Sequence, residues 1–143
     1  MQKNGGGHLK NTLVLLLCLY LFLTLCGTVI FRETSASTRY ILLPFWCYTS
    51  LYNRLLNEII LNILFFIPIG FLATGAITKP NLLKVCGMGC GWSITIELLQ
   101  LITRRGVCNI NDVIHNTIGC IIGYGIYRGC IFMIKKIQQM LQR

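Results

Sequence analysis

Carboxylates are scarce in this chain, which has four Asp and Glu residues against thirteen Lys and Arg residues in a length of 143. Charged residues make up 12% of the sequence and hydrophobic residues 55%, whereas an ordinary soluble domain is about 25% charged. This composition excludes a soluble globular domain and places the chain in a membrane. Its length fits a single domain.

The sequence also lacks the motifs of common cofactor and metal chemistry. It has no glycine-rich phosphate loop, no set of nucleophile, histidine and acid, and no metal-binding signature. Cys86 and Cys90 lie one helical turn apart, but His8 and His115 are badly placed to complete a metal site with them. We therefore expect no cofactor and no metal. The net charge of +9 is spread over helix ends and connections, a pattern that argues against nucleic-acid binding.

Four apolar runs are long enough to cross a hydrocarbon core, which needs about 20 residues. The predicted spans are residues 11–31, 59–78, 85–103 and 113–134, between an N-terminal tail at 1–10 and a C-terminal tail at 135–143. The first run exceeds the roughly 7–15 apolar residues of a signal peptide, so we expect an uncleaved anchor helix. Because irregular backbone exposed to lipid would leave amides unpaired, the sequence predicts an all-α four-helix transmembrane bundle.

The basic residues predict the orientation of this bundle. With four spans, both termini and the connection between the second and third spans share one side of the membrane. Eight of the thirteen basic residues lie on that side: Lys3, Lys10, Lys79, Lys84, Arg128, Lys135, Lys136 and Arg143. The positive-inside rule then places both termini in the cytoplasm (N-in/C-in) and the connection between spans three and four outside.

Polar residues form a stripe along each of three predicted spans. A carboxylate inside lipid is costly, about 2.5–3.5 kcal/mol for Asp at a helix centre, so its default interpretation is functional. At about 100° per residue the third span presents one polar and small-residue face. That face comprises Cys86, Gly89, Cys90, Ser93, Glu97, Gln100 and Arg104. The other two stripes are Arg54, Glu58 and Asn62 in the second span and Asp112, Asn116, Gly119 and Gly123 in the fourth.

These stripes are expected to meet near the outer side of the membrane. The connection at 104–111 is short, so spans three and four must be antiparallel neighbours. The second span enters from the same side with its own polar face. We predict a binding pocket there, made by Glu58, Asn62, Glu97, Gln100, Arg104, Arg105, Asp112 and Asn116.

The residues leave several roles open for this cluster. If it catalyses a reaction, Glu97 or Asp112 is the general acid or base, and an arginine holds an anionic group of the substrate. The structural alternative is that these side chains cap helices, form ion pairs and fasten the helices together. His115 lies on another face and is expected to serve packing or the membrane interface. Cys47 and Cys108 fall on the predicted outer side, where they could pair.

Three sequence blocks resemble the VanZ-like family of bacterial membrane proteins. They are Asn62-Ile63-Leu64-Phe65-Phe66-Ile67-Pro68-Ile69-Gly70-Phe71-Leu72, then Ser93-Ile94-Thr95-Ile96-Glu97-Leu98-Leu99-Gln100, then Arg105-Gly106 and Asn111-Asp112-Val113-Ile114-His115-Asn116-Thr117-Ile118-Gly119 with Gly123. The resemblance implies a multi-pass protein of the bacterial plasma membrane, in a family associated with resistance to the glycopeptide teicoplanin. It also implies a polar signature at Asn62, Glu97, Gln100, Arg105, Asp112 and Asn116.

One departure from the family pattern bears on metal binding. Many relatives read Asp-x-Asp-Asp where this chain has Asn109-Ile110-Asn111-Asp112, and the loss of two carboxylates weakens a divalent-metal proposal. We therefore expect an outward-facing pocket for membrane lipids, a lipid-linked envelope precursor or a glycopeptide-type antibiotic. The alternatives are an enzyme acting on a phosphate- or glycan-bearing lipid, with Glu97 or Asp112 as acid or base, and a structural scaffold. Oligomeric state is not predicted.

Overall fold

Four long helices make up most of the protein. The computed structural model describes residues 5–34, 39–44 and 53–142, and at 5, 6, 39 and 53–55 it describes the backbone alone. The elements are α1 (Gly5–Leu25) with a π-helical continuation (Cys26–Ile30), β1 (Arg39–Ile41), α2 (Asn53–Ala76), α3 (Leu82–Thr103), β2 (Val107–Asn109) and α4 (Ile110–Leu141). The helical stretches at Gly7–Ile30, Leu56–Ala76, Leu82–Thr103 and Ile110–Leu141 are each long and apolar enough to span a membrane. The predicted all-α, four-helix transmembrane architecture is confirmed.

The helices extend further than the predicted spans. α1 begins at Gly5, inside the stretch predicted as the N-terminal tail, and α4 continues to Leu141 through the predicted C-terminal tail. α4 has no proline to end it, and its last turns contain good helix formers such as Lys, Gln, Met and Leu. With 32 residues at about 1.5 Å each, α4 is longer than the roughly 30 Å hydrocarbon core, so one end of it must project from the membrane.

Glycines allow the close approach of α2 and α4, the most extensive helix contact in the bundle. A Cβ at Gly119 would collide with the carbonyl oxygen of Ile63, and a Cβ at Gly123 with that of Ile67. Gly70 of α2 faces the backbone of Cys120 in the same way. Small residues are common at such interfaces because, in lipid, van der Waals packing between helices replaces the hydrophobic driving force.

A short parallel sheet joins two segments that lie at one end of the bundle. β1 pairs with β2 with Tyr40 opposite Cys108, and the side-chain amide of Asn111 donates to the carbonyl of Leu43 at 3.1 Å. This sheet was not predictable from the sequence, because three-residue strands are too short to show a period. The pairing holds the stretch after α1 against the α3–α4 connection.

Two contacts identify the opposite ends of the bundle. Lys10 Nζ donates to Thr78 Oγ1 at 2.6 Å, so the start of α1 lies beside the α2–α3 connection. Arg105 donates to the carbonyl of Ile30, which ties the end of the π-helical segment to the α3–α4 connection. The polar stretches of α3 and α4 therefore lie at the end away from the start of α1. The N-in/C-in orientation stays a prediction from the basic residues.

Gly119→Ala tests the α2–α4 contact, with Gly125→Ala on the same helix as its control. Nothing lies within 4 Å of a Cβ at Gly125. We expect Gly119→Ala to cost about 1–3 kcal/mol of stability through overpacking, although alanine is the better helix former. Thermal unfolding in a mild detergent should show a lower Tm for Gly119→Ala and an unchanged or higher one for Gly125→Ala. Equal Tm values for the two variants would contradict the described packing.

Candidate functional site

A cavity of about 230 Å³ lies between the four helices at the end where α3 leads into α4. We call it the polar cavity; its lining residues are Tyr20, Leu23, Thr24, Gly27, Thr28, Arg32, Asn62, Phe65, Phe66, Ile96, Glu97, Gln100, Asp112 and Asn116. Leu23 is 55% and Phe65 53% exposed, and these two residues face outward from α1 and α2. The lateral mouth of the cavity is thus largely apolar, with Arg32 as its exposed charged residue, whereas the buried wall carries acids and amides.

Glu97 is the buried carboxylate of this wall. It lies six residues before the end of α3, which is about 9 Å of helix. Its side chain is 5% exposed, and Oε2 accepts a hydrogen bond of 2.7 Å from the backbone N–H of Asn109. Because Asn109 is both the last residue of β2 and the N-cap of α4, Glu97 fixes the point where α4 begins.

Asp112 lies in the first turn of α4, where the helix dipole favours a negative charge. Oδ1 accepts from Nδ2 of Asn109 at 2.9 Å, and the side chain also makes a hydrogen bond with Asn62. Asp112 and Glu97 are close enough to repel each other, and Glu58 adds to the repulsion at Asp112. Glu97, Asp112 and Glu58 thus form a cluster of three acids, of which α3 supplies only one.

Gln100 and Asn116 each use their amide nitrogen within the protein. Gln100 Nε2 donates to the carbonyl of Thr28 at 2.9 Å, and Asn116 Nδ2 donates to Ser93 Oγ at 2.8 Å. The oxygens, Gln100 Oε1 and Asn116 Oδ1, are buried without a hydrogen-bond partner. Since a carbonyl can only accept, the bond to Thr28 determines which end of the Gln100 amide is its oxygen. A buried acceptor left unpaired costs about 1–3 kcal/mol.

Arg32 supplies the positive charge of the cavity, and it was not among the binding residues predicted from the sequence. It lines the cavity, and its guanidinium attracts both Glu97 and Asp112. Gly106 makes room for it: its φ is +115°, and a Cβ there would lie 3.0 Å from Arg32 Nη1. One available signal was that Arg32 directly follows the first apolar run, at the end of the bundle that holds the acids.

The structure places the predicted binding residues in two groups. Those lining the polar cavity are Asn62, Glu97, Gln100, Asp112 and Asn116. The other three lie outside its lining. Glu58 is exposed but acts electrostatically on Asp112, Arg104 is exposed as the left-handed C-cap of α3, and Arg105 binds the carbonyl of Ile30. His115, predicted for packing or the interface, is 2% exposed and therefore packs inside the bundle.

Among the described residues, no group of three His, Cys, Asp or Glu side chains is arranged to hold a metal ion. Cys108 carries a free thiol in β2, and Cys47, with which it could pair according to the sequence, lies outside the described residues. Burial raises the pKa of the Cys108 thiol above its ordinary value, and the carboxylates of Glu97 and Asp112 raise it further. The thiol is therefore held in its unreactive protonated form at neutral pH.

Comparison with known proteins identifies the family. The model of the VanZ/LLP1 family matches residues 12–134. The chain belongs to the VanZ/LLP1 family. Protein VanZ of Enterococcus faecium is 34% identical over 71 residues, which are 50% of this chain and 44% of that protein. The match thus spans less than half of this curated relative, and no solved structure matches the chain.

Membership of the VanZ/LLP1 family confirms the resemblance. Asn109, one of the positions at which the chain departs from the family pattern, has a specific role in the structure. In this member the Asn109 amide donates to Asp112 at 2.9 Å, which an ionised aspartate at that position could not do. An aspartate at position 109 would face Asp112 as a like charge, whereas the amide forms a hydrogen bond with it. The same hydrogen bond occupies Asp112, the carboxylate that a metal site in this segment would require.

Asp112→Asn should make Cys108 react faster with a maleimide at about pH 8. Removing the negative charge lowers the pKa of the thiol, so a larger fraction is thiolate and alkylation accelerates about two- to fivefold. Peptide mass spectrometry resolves Cys108 from the other cysteines. Glu33→Gln, which removes a charge from an exposed acid outside the cavity lining, is the control and should leave the rate unchanged. An unaltered rate in Asp112→Asn would show that its charge does not reach Cys108.

Proposed function

We propose that this protein binds the headgroup of a cell-envelope amphiphile in the polar cavity. The observation that carries the proposal is the joining of a largely apolar lateral mouth to a buried polar wall. Leu23 and Phe65 stand at the mouth, on helix faces that meet lipid, and Glu97 and Gln100 lie within. An amphiphile in the membrane can place its headgroup among the polar groups while its chains stay in the lipid.

The size of the cavity favours a headgroup over a whole antibiotic. Pockets for drug-sized ligands occupy roughly 300–1,000 Å³. At about 230 Å³ the polar cavity is smaller than that range, so it suits a group of a few heavy atoms. We propose that any contribution to teicoplanin-type resistance acts through an envelope lipid or lipid-linked precursor that the protein binds, rather than through enclosure of the glycopeptide.

The proposed location is the bacterial plasma membrane, with both termini in the cytoplasm and the polar cavity towards the outer leaflet. The distribution of the basic residues supports this orientation. The contact of Lys10 with Thr78 supports it further, because it brings two of the basic segments together at the end opposite the cavity. The ligand would then enter from the outer leaflet.

Two other functions, a structural scaffold and an enzyme, would give different results when the cavity residues are substituted. A scaffold would use Glu97 and Asn116 only for their bonds to Asn109 and Ser93. An enzyme would convert the bound lipid, with Glu97 or Asp112 as acid or base. Turnover of a purified lipid that stops in Glu97→Gln and Asp112→Asn would replace the binding proposal with the enzymatic one.

Gly27→Leu tests the binding proposal by narrowing the mouth of the cavity. Gly27 lines the cavity and a Cβ there meets nothing within 4 Å, so the added side chain need not disturb the fold. Gly91→Leu is the control, because Gly91 of α3 is equally open but lies outside the lining. Native mass spectrometry of protein extracted in mild detergent should find a retained lipid in wild type and in Gly91→Leu, and much less in Gly27→Leu. Equal retention in all three proteins would refute the proposal.

A further inference from the structure

We propose that the bound headgroup carries a protonated primary amine, which sits against the buried wall of the polar cavity. This inference rests on the proposed function, since it specifies the chemistry of that ligand. Two carboxylates, Glu97 and Asp112, and one guanidinium, Arg32, line the cavity, and Glu58 lies near Asp112. In their ionised forms the two acids of the lining outnumber its one cation, and a cationic group would neutralise the excess.

The buried wall also has an excess of hydrogen-bond acceptors, an observation that is independent of charge. Gln100 is 3% and Asn116 5% exposed, and both lie in the cavity wall. Their oxygens, Oε1 and Oδ1, have no hydrogen-bond partner within the protein. Native proteins rarely leave such atoms unpaired, so Gln100 Oε1, whose position the bond to the Thr28 carbonyl determines, points to a donor that a ligand brings.

The neighbouring N–H donors already form hydrogen bonds within the protein. The amide nitrogens of Gln100 and Asn116 bind Thr28 and Ser93, and the backbone N–H of Asn109 binds Glu97. The wall is thus rich in acceptors and short of donors. A primary ammonium supplies three N–H donors and a positive charge together. A trimethylammonium group has the charge without donors, and a hydroxyl group has a donor without the charge.

Arg32 indicates which part of the headgroup faces the outside of the cavity. It lines the cavity yet is exposed, whereas Glu97, Gln100 and Asn116 are buried. A guanidinium binds phosphate oxygens through paired hydrogen bonds. A lipid whose phosphate contacts Arg32 and whose amine points inward satisfies both ends of the cavity. The ligand class is therefore an amine-bearing phospholipid headgroup.

The test compares three lipids with identical acyl chains. Phosphatidylethanolamine offers an ammonium, phosphatidylcholine a trimethylammonium and phosphatidylglycerol only hydroxyls. Each is titrated into delipidated wild-type protein in detergent, and binding is measured by native mass spectrometry. We expect phosphatidylethanolamine to bind about tenfold more tightly than the other two, the factor that one charge-assisted hydrogen bond supplies. Asp112→Asn should reduce that preference by a similar factor.

The results separate this inference from the proposed function. A lipid other than phosphatidylethanolamine that is preferred, and lost in Gly27→Leu, would overturn the amine and keep the headgroup site. Equal binding of all three lipids in wild type and Gly27→Leu would overturn both. Displacement of the lipid by an equal concentration of soluble phosphoethanolamine would assign the amine to a soluble ligand instead. The comparison of the three lipids on wild-type protein tests the preference for an amine even if Asp112→Asn fails to fold.

Discussion

The arrangement of the cavity depends on one hydrogen bond, from the backbone N–H of Asn109 to the carboxylate of Glu97. It joins the interior of α3 to the residue at which β2 ends and α4 begins. A buried carboxylate needs such a partner, and a helix N-terminus needs its free N–H groups satisfied, so one contact meets two requirements. It also brings Asp112 to the same wall, because Asp112 lies three residues further along the chain.

Two kinds of interaction hold the helices of the bundle together: close packing and side-chain hydrogen bonds. Glycines bring α2 and α4 together until backbone meets backbone, and dispersion and close packing hold them there. α3 is joined to α1 and its π-helical continuation instead by side-chain hydrogen bonds, from Trp92 to Thr24 and from Gln100 to Thr28. Hydrogen-bonded helices need not fill the space between them, and this is why an opening can persist at the end that holds the polar cavity.

The length of the apolar runs was sufficient to predict the four spans. Helical periodicity predicted the inward-facing stripe of α3, where Ser93, Glu97 and Gln100 are all buried. It also brought Asp112 and Asn116 to the same region. It could not select Arg32 or Thr28, because their roles come from contacts with residues about 70 positions away in the chain, as in the bond from Gln100 to Thr28. Such pairings depend on how α1 docks. The outward turn of Arg104 depends on its left-handed backbone at the C-cap, which residue type alone does not specify.

The unbroken length of α4 connects the two sides of the membrane mechanically. The helix carries Asp112 in its first turn and reaches Leu141 without a proline, so it behaves approximately as a rod of about 48 Å. A tilt of about 5° at the cavity would move the far end by about 4 Å, roughly three-quarters of the rise of one helical turn. Lys135 and Lys136 lie near that end, so such a tilt would also displace two positive charges.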